Sequence, residues 1–276
     1  SVKYISYHKD KYIECETLVL ATGGYSFPST GSSGEGYQLA KDMGHTIAPC
    51  FPSLTGLLPK DYDTRLQGIT LSNVQLSLKI DEIIEQEVFG EVIFTDLGFE
   101  GSLGYRLSRK VVTAMNHGHK PSLVLNLKAA IPLPELRSRL QNDYLKYTSE
   151  SLSLFMRHYL PRELILPFLD AMRLKSNQLI CKLLPENTET LLKGLTCWVF
   201  PIERYAGYER AIVTAGGVSI EEIQKKDMRS KIIDNLFFAG EIIDLDGDTG
   251  GYNLQIAFST GVMAGLGAAK SAHRKT

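Results

Sequence analysis

A chain of 276 residues, 43% hydrophobic and 22% charged, suffices for one large domain or two ordinary ones and has the composition of an ordinary globular protein. With 30 basic against 31 acidic residues the formal net charge is −1, so no basic field points to nucleic acid as a partner. Cys15, Cys50, Cys181 and Cys197 are far apart with no C-x-x-C and read as reduced thiols of a cytoplasmic protein rather than a disulfide frame or zinc site. No apolar run reaches the roughly 18 residues of a membrane span, and no signal peptide is visible.

In chain order, "VKYISYH" and "KYIECE" alternate with period two, and "HKDK" between them reads as a turn. A sheet that starts at Ser1, without a Met, suggests a piece of a longer protein. "TLVLA" (17–21) is a short buried parallel strand running into the glycine turn "TGG". "GSSGEGYQLAKDMGH" follows as a helix with Leu39 and Met43 on one face and Gly44 closing it. The three prolines of "APCFPSLTGLLP" (48–59) should break regular structure and mark a domain crossing. "NVQLSLKI", "EVIFTD", "SLVLNL", "TCWVFPI" and "RAIVTA" read as strands of an antiparallel sheet or barrel, with no helix between the first two. From about 133 to 194 the pattern is helical. "PLPELRSRLQNDYLKY" places Leu136, Leu140 and Tyr144 on one face. "TAGGVSIEEI" and "IDNLFFAGE" return to strand and glycine, and a last helix runs from near Gly251 to about Ala269. The simplest architecture is an α/β domain made of 1–50 and 214–276, interrupted by an insertion at 51–213.

The stretch "GEIIDLDGDTGGYNLQIAFSTG" (240–261) carries four acids, then two glycines, then a helix start. Asp244, Asp246 and Asp248 have the spacing of a calcium loop, but Thr249 and Gln255 stand where such a loop needs Gly and Glu. A solvated acidic turn ahead of a core helix is the plain reading, since acids favour the positive end of the helix dipole. A nucleotide-cofactor site is the third. Here glycines admit a ligand to the backbone, the free N–H groups of the helix start stabilise negative charge, and Glu241 or Asp244 accepts from sugar or ribityl hydroxyls. Ala257, Gly261, Ala264, Gly265 and Ala268 would let the helix lie close to the sheet. The turn after "LVLATGG" sits at a carboxyl end of a strand, where open α/β sheets bind ligands.

Together, "LVLATGGYSFPSTGSSGEGYQLAKDMGHTI" and "TAGGVSIEEI…NLFFAGEIIDLDGDTGGYNLQIAFSTG" resemble the BaiN-like bacterial flavoproteins, a family of NAD(P)/FAD-dependent, aminoacetone-oxidase-like oxidoreductases. The resemblance extends through "GEVIFTDLGFEG" and "CWVFPIERYAGYERAIVTAGGVS". It implies a two-dinucleotide-binding-type FAD domain with an inserted β-barrel (51–130 and 195–213) and a helical subdomain (131–194). It further implies FAD contacts at Thr22, Gly23, Gly24, Gly240, Glu241, Asp244 and the helix start Gly250, Gly251, Tyr252, Asn253, Leu254 and Gln255, with Tyr252 and Asn253 nearest the flavin ring. Hydride would pass between flavin N5 and a small organic substrate or NAD(P)H. The sequence departs from the family in two places. The opening strand–G-x-G-x-x-G–helix that holds the FAD pyrophosphate has no counterpart here. The middle motif, Thr95-Asp96-Leu97-Gly98-Phe99-Glu100-Gly101-Ser102, lacks the family's histidine.

The remaining candidates are weaker. His117 and His119 lack further ligands for a metal. Tyr205, Tyr208 and Arg204 read either as substrate-facing or as edge-strand surface, and Arg106, Arg109 and Lys110 as a solvated basic face. Two other readings stay open: a flavin-free fragment or interaction module, and a fumarate-reductase-type flavoprotein, although no paired arginines and histidines support the latter.

Overall fold

The computed structural model describes residues 2–8 and 11–273. Lys9 and Asp10, in the expected "HKDK" turn, lie outside the described residues. The chain divides into two units, one made of Ser1–Thr55 and Ala206–Thr276, the other of Gly56–Tyr205.

In the first unit β1 (Tyr4–His8) and β2 (Lys11–Glu14) form an antiparallel pair. The two apolar runs that end in glycine turns, β3 (Leu18–Leu20) and β12 (Leu236–Phe238), lie parallel in the register Leu18↔Leu236 to Leu20↔Phe238. Between them in sequence, α1 (Glu35–Asp42) ends at Met43, and Gly44 follows at φ 93°, the left-handed position that glycine takes after a helix. The face that α1 buries is Gly36, Tyr37 and Ala40, and Leu39 is 49% exposed. A side chain on Gly36 would overlap the Thr22 hydroxyl, so α1 packs closely against the turn after β3.

The proline-rich stretch forms strands rather than breaking them. β4 (Ile47–Ser53) pairs antiparallel with β11 (Val213–Val218). The pairing shifts register between Ala215 and Gly217, and Gly216, at φ 87°, lies against the Pro49 carbonyl. A bulge in a two-stranded ladder is a place where a residue without an N–H is tolerated. Because this pairing keeps 47–53 and 213–218 together, the chain leaves the first unit after Thr55 and returns at Ala206, not at 51 and 213.

The last helix, α7 (Gly250–His273), buries Thr260, Ala264 and Ala268 at four-residue spacing. Of the small residues expected to face the sheet, Gly261 and Gly265 are exposed instead. The opposite side carries a row of large apolar residues, Leu254, Phe258, Val262 and Leu266, each 58–65% exposed. Among the described residues no helix is long and apolar enough to cross a membrane.

In the second unit six strands close into a barrel in the order β10-β5-β8-β7-β6-β9. These are β5 (Leu57–Pro59), β6 (Thr70–Ile80), β7 (Ile83–Thr95), β8 (Gly98–Glu100), β9 (Pro121–Asn126) and β10 (Trp198–Tyr205). A two-residue turn with positive φ at Asp81 and Glu82 joins β6 to β7, and its twist matches the flanking strands. The sequence reading missed α2 (Gly101–Asn116), which buries Leu103, Leu107 and Val111 at four-residue spacing. Arg109 and Lys110 lie on its exposed side, with Arg106 half-buried. The helices α3 (Leu133–Lys146), α4 (Leu152–Phe155), α5 (Arg162–Ala171) and α6 (Pro185–Thr196) share one hydrophobic core with the barrel. Leu136, Leu140, Phe168 and Leu195 belong to the same cluster as Leu76, Phe94, Phe99 and Phe200.

Gly98 opens β8 at φ 84°, and a Cβ there would run into the Leu57 carbonyl oxygen of the neighbouring strand. Gly98→Ala is therefore expected to destabilise the protein by about 2 kcal/mol or more, read as a lower urea midpoint. An unchanged midpoint would show that the β5–β8 contact is slack.

Candidate functional site

The first unit brings together residues from three distant stretches. The carbonyl-end turn of β3 carries Thr22, Gly23 and Gly24, β11 carries Thr214, and the turn after β12 carries Gly240 and Glu241. Thr214 sits at the centre. Its N–H donates to Glu241 Oε1 at 2.8 Å. Its hydroxyl oxygen accepts from Tyr25 N at 2.8 Å and Ser26 N at 3.2 Å, and lies 3.1 Å from the Ser26 hydroxyl. Gly24 is buried against this group, and a Cβ there would lie 2.5 Å from both Glu241 Oε1 and Thr214 Oγ1. The second glycine of "TGG" is thus required by packing. The Tyr25 ring lies between Tyr37 and Tyr208, 5.1 Å from each centroid, and supports the turn from outside.

Glu241 is half-buried. Burial raises its pKa above the ordinary carboxylate value, against the two Thr214 hydrogen bonds, and the Asp246 charge adds to the rise. Gly240 has φ 76°, and its N–H donates to the Thr260 hydroxyl at 2.9 Å; that hydroxyl in turn donates to Ile256 O at 2.7 Å. Strand end and α7 are thereby joined by one side chain.

The acidic loop before α7 is held by the helix itself. Asn253 Oδ1 accepts from Gly247 N at 3.0 Å, while its Nδ2 donates to Gly247 O at 2.8 Å and Thr249 O at 2.9 Å. The Asn253 side chain is therefore committed to the loop, and Gln255 Nε2 donates along the helix to Ser259 Oγ at 2.8 Å. Asp246 accepts from the Ser53 hydroxyl at 3.3 Å, and Asp244 N donates to Val218 O at 2.9 Å. Tyr252 projects outward, 67% exposed, and Leu254 is 59% exposed.

Gly250 and Gly251 have open space where a side chain would stand. Beside them is a cavity of about 300 Å3 lined by Glu241, Gly250, Asn253, Leu254, Ala257 and Ile212, among others. That is the small end of the range of roughly 300–1,000 Å3 for ligand pockets, enough for a ring system but not for a whole dinucleotide. Of the sequence candidates, Gly24, Gly240, Glu241, Gly250, Asn253 and Leu254 gather around the Thr214 node and this cavity. Gln255 and Tyr252 lie on the exposed side of α7.

Thr214 and Thr260 were not singled out from the sequence. A hydroxyl residue directly before "AGG" at a strand, and a lone threonine on the inner, small-residue side of a helix, were the available signs. His117 and His119 go to separate partners, Thr113 O and Asp81 Oδ2. The Tyr205 hydroxyl donates to Asn116 Oδ1 in the barrel unit, whereas Tyr208 belongs to the first unit.

The raised pKa of Glu241 has a definite sign in stability. The group's contribution is fully present below its unfolded value of 4.5 and is lost as pH rises through the folded value. Glu241→Gln keeps the acceptor for Thr214 N without the charge, so its stability relative to the parent chain should improve steadily from pH 4 towards pH 8. Parallel pH curves would show that the carboxylate is not held in a charge-disfavouring site. Thr214→Val leaves the Tyr25 and Ser26 amides without their acceptor and should cost about 1–3 kcal/mol, measured by thermal or urea unfolding.

Three curated proteins are similar over most of this chain. The 3-dehydro-bile acid delta(4,6)-reductase of Clostridium scindens is 28% identical over 255 residues, 92% of this chain and 62% of that protein. The ribosomal RNA dihydrouridine synthase of Haemophilus influenzae is 25% identical over 253 residues, 92% of this chain and 60% of that protein. That of Escherichia coli is 29% identical over 254 residues, 90% of this chain and 59% of that protein. The chain spans about three-fifths of the length of these relatives. The HI0933-like protein Rossmann domain matches residues 1–267, in keeping with the resemblance to BaiN-like flavoproteins, and the chain belongs to that family.

Proposed function

We propose that this chain forms the flavin-ring side of an FAD-dependent oxidoreductase that reduces a carbon–carbon double bond conjugated to a carbonyl. The observation that carries the reading is the open start of α7 at Gly250 and Gly251, beside a ring-sized cavity and the pairing of half-buried Glu241 with buried Thr214. These residues suit the ring and ribityl end of FAD. No strand–G-x-G-x-x-G–helix occurs in the sequence, so the pyrophosphate is outside what these residues would hold. The names of the relatives share one chemistry. A delta(4,6)-reductase and a dihydrouridine synthase both add hydrogen to a double bond in a ring bearing carbonyl groups.

A bound flavin supplies hydride at N5 once reduced, with NAD(P)H the proposed donor. The residues of this chain orient it. Thr22, Gly23 and Gly24 would border it from the β3 turn, and Gly240 and Glu241 from the β12 turn. Asp244 would accept from its hydroxyls. The Gly250 and Gly251 N–H groups, at the positive end of a 24-residue helix, would stabilise negative charge on the pyrimidine edge. Tyr252, exposed beside them, would border the substrate. The substrate is a small organic molecule or a uracil ring carried on RNA, and both contain the same conjugated system.

FAD titrated into the chain should give a saturable shift of the flavin absorption bands. Gly251→Val, which meets open space in the ligand-free protein, should leave unfolding unchanged and abolish that shift. Failure of the chain to bind FAD overturns the reading for this polypeptide and favours a flavin-free module. Equal flavin binding by the variant moves the ring away from α7. With flavin bound, NADPH-dependent loss of an enone steroid or of uridine in RNA distinguishes the two substrate classes.

A further inference from the structure

The barrel unit contains a cavity of its own, about 640 Å3 in volume. Its floor is apolar and includes buried Leu66, Pro167, Trp198 and Phe200. Its rim carries three exposed cations, Lys60, Arg173 and Lys193, brought by the segment after β5, the end of α5 and the side of α6. Among the described residues none of the three is paired with a carboxylate. Two acids also line the cavity. Asp63 is taken by Arg65, with Nε at 3.0 Å from Oδ1 and Nη2 at 2.6 Å from Oδ2, which lowers its pKa. Asp61 is left against three positive charges. An apolar, aromatic floor under a rim with a surplus of positive charge matches one kind of ligand, since the floor rewards loss of water from an apolar body and the rim attracts an anion.

We propose that this cavity binds an organic anion, a carboxylate or phosphorus oxyanion carried on a compact apolar body. The site is independent of the flavin and of the reaction proposed above. It has a built-in reporter, because Trp198 is the single tryptophan of the chain and is 5% exposed. The complete chain is titrated with adamantane-1-carboxylate, adamantane-1-phosphonate and neutral adamantane-1-carboxamide while tryptophan emission is followed. At least one anion should give a saturable change, with the carboxamide weaker by about tenfold or more. The tighter of the two anions identifies the headgroup. The double variant Lys60→Glu, Lys193→Glu alters two exposed side chains, so folding is retained. It should lose about tenfold in affinity for the anion and little for the carboxamide. Equal responses to anion and carboxamide, no response to either anion, or full anion binding by a folded double variant would overturn the proposal.

Discussion

The bond from Thr214 N to the Glu241 carboxylate is the constraint on which the first unit depends. A half-buried carboxylate is costly to ionise, and here it accepts the Thr214 strand amide at 2.8 Å. Through the Thr214 hydroxyl the same node fixes the Tyr25 and Ser26 amides, and through close packing it excludes any side chain at Gly24. The turn after β3 therefore cannot take its final form until segments from the other end of the chain are in place. Contacts of such long sequence separation slow folding, since loop closure precedes the gain.

Much of this was legible in the sequence. The apolar run at 17–21 ending in glycine reads as a buried parallel strand, and β3 lies parallel to β12. The four-residue spacing of Leu136 and Leu140 gave a helix with a buried face, as found. The failures have physical causes. Prolines at 49 and 52 argue against a strand because a strand interior normally needs the amide, but Pro49 lies at a bulge where the ladder does not. α2 is hard to read from sequence because Gly101, Gly104 and the basic Arg106, Arg109 and Lys110 interrupt the apolar spacing of Leu103, Leu107 and Val111. Thr214 and Thr260 were invisible because their importance lies in partners 27 and 20 residues away, Glu241 and Gly240, and no local pattern encodes such pairings.

α7 inverts the usual amphipathic arrangement. Helices commonly turn large apolar residues to the core, whereas this one turns Thr260, Ala264 and Ala268 inward and leaves Leu254, Phe258, Val262 and Leu266 in solvent. The small inner face permits close approach of backbone to sheet, seen at Gly267, where a Cβ would crowd Asp227 O and the Phe237 ring. Close approach also lets the Thr260 hydroxyl reach the Gly240 amide. The geometry at the start of the helix is thus set by how little side-chain volume lies beneath its middle.

The way the chain passes into and out of the barrel unit has an evolutionary consequence. Leu57 and Tyr205, next to its two ends, are partners across the β5–β10 ladder, and at the margin of the other unit the Thr55 hydroxyl donates to Ala206 O at 2.8 Å. A segment whose ends are already neighbours can be deleted and bridged by a short turn with little change in closure entropy, because that entropy grows only slowly with the length removed. Residues 56–205 thus have the geometry of a cassette that recombination can exchange, shorten or lose while the enclosing α/β scaffold keeps its register.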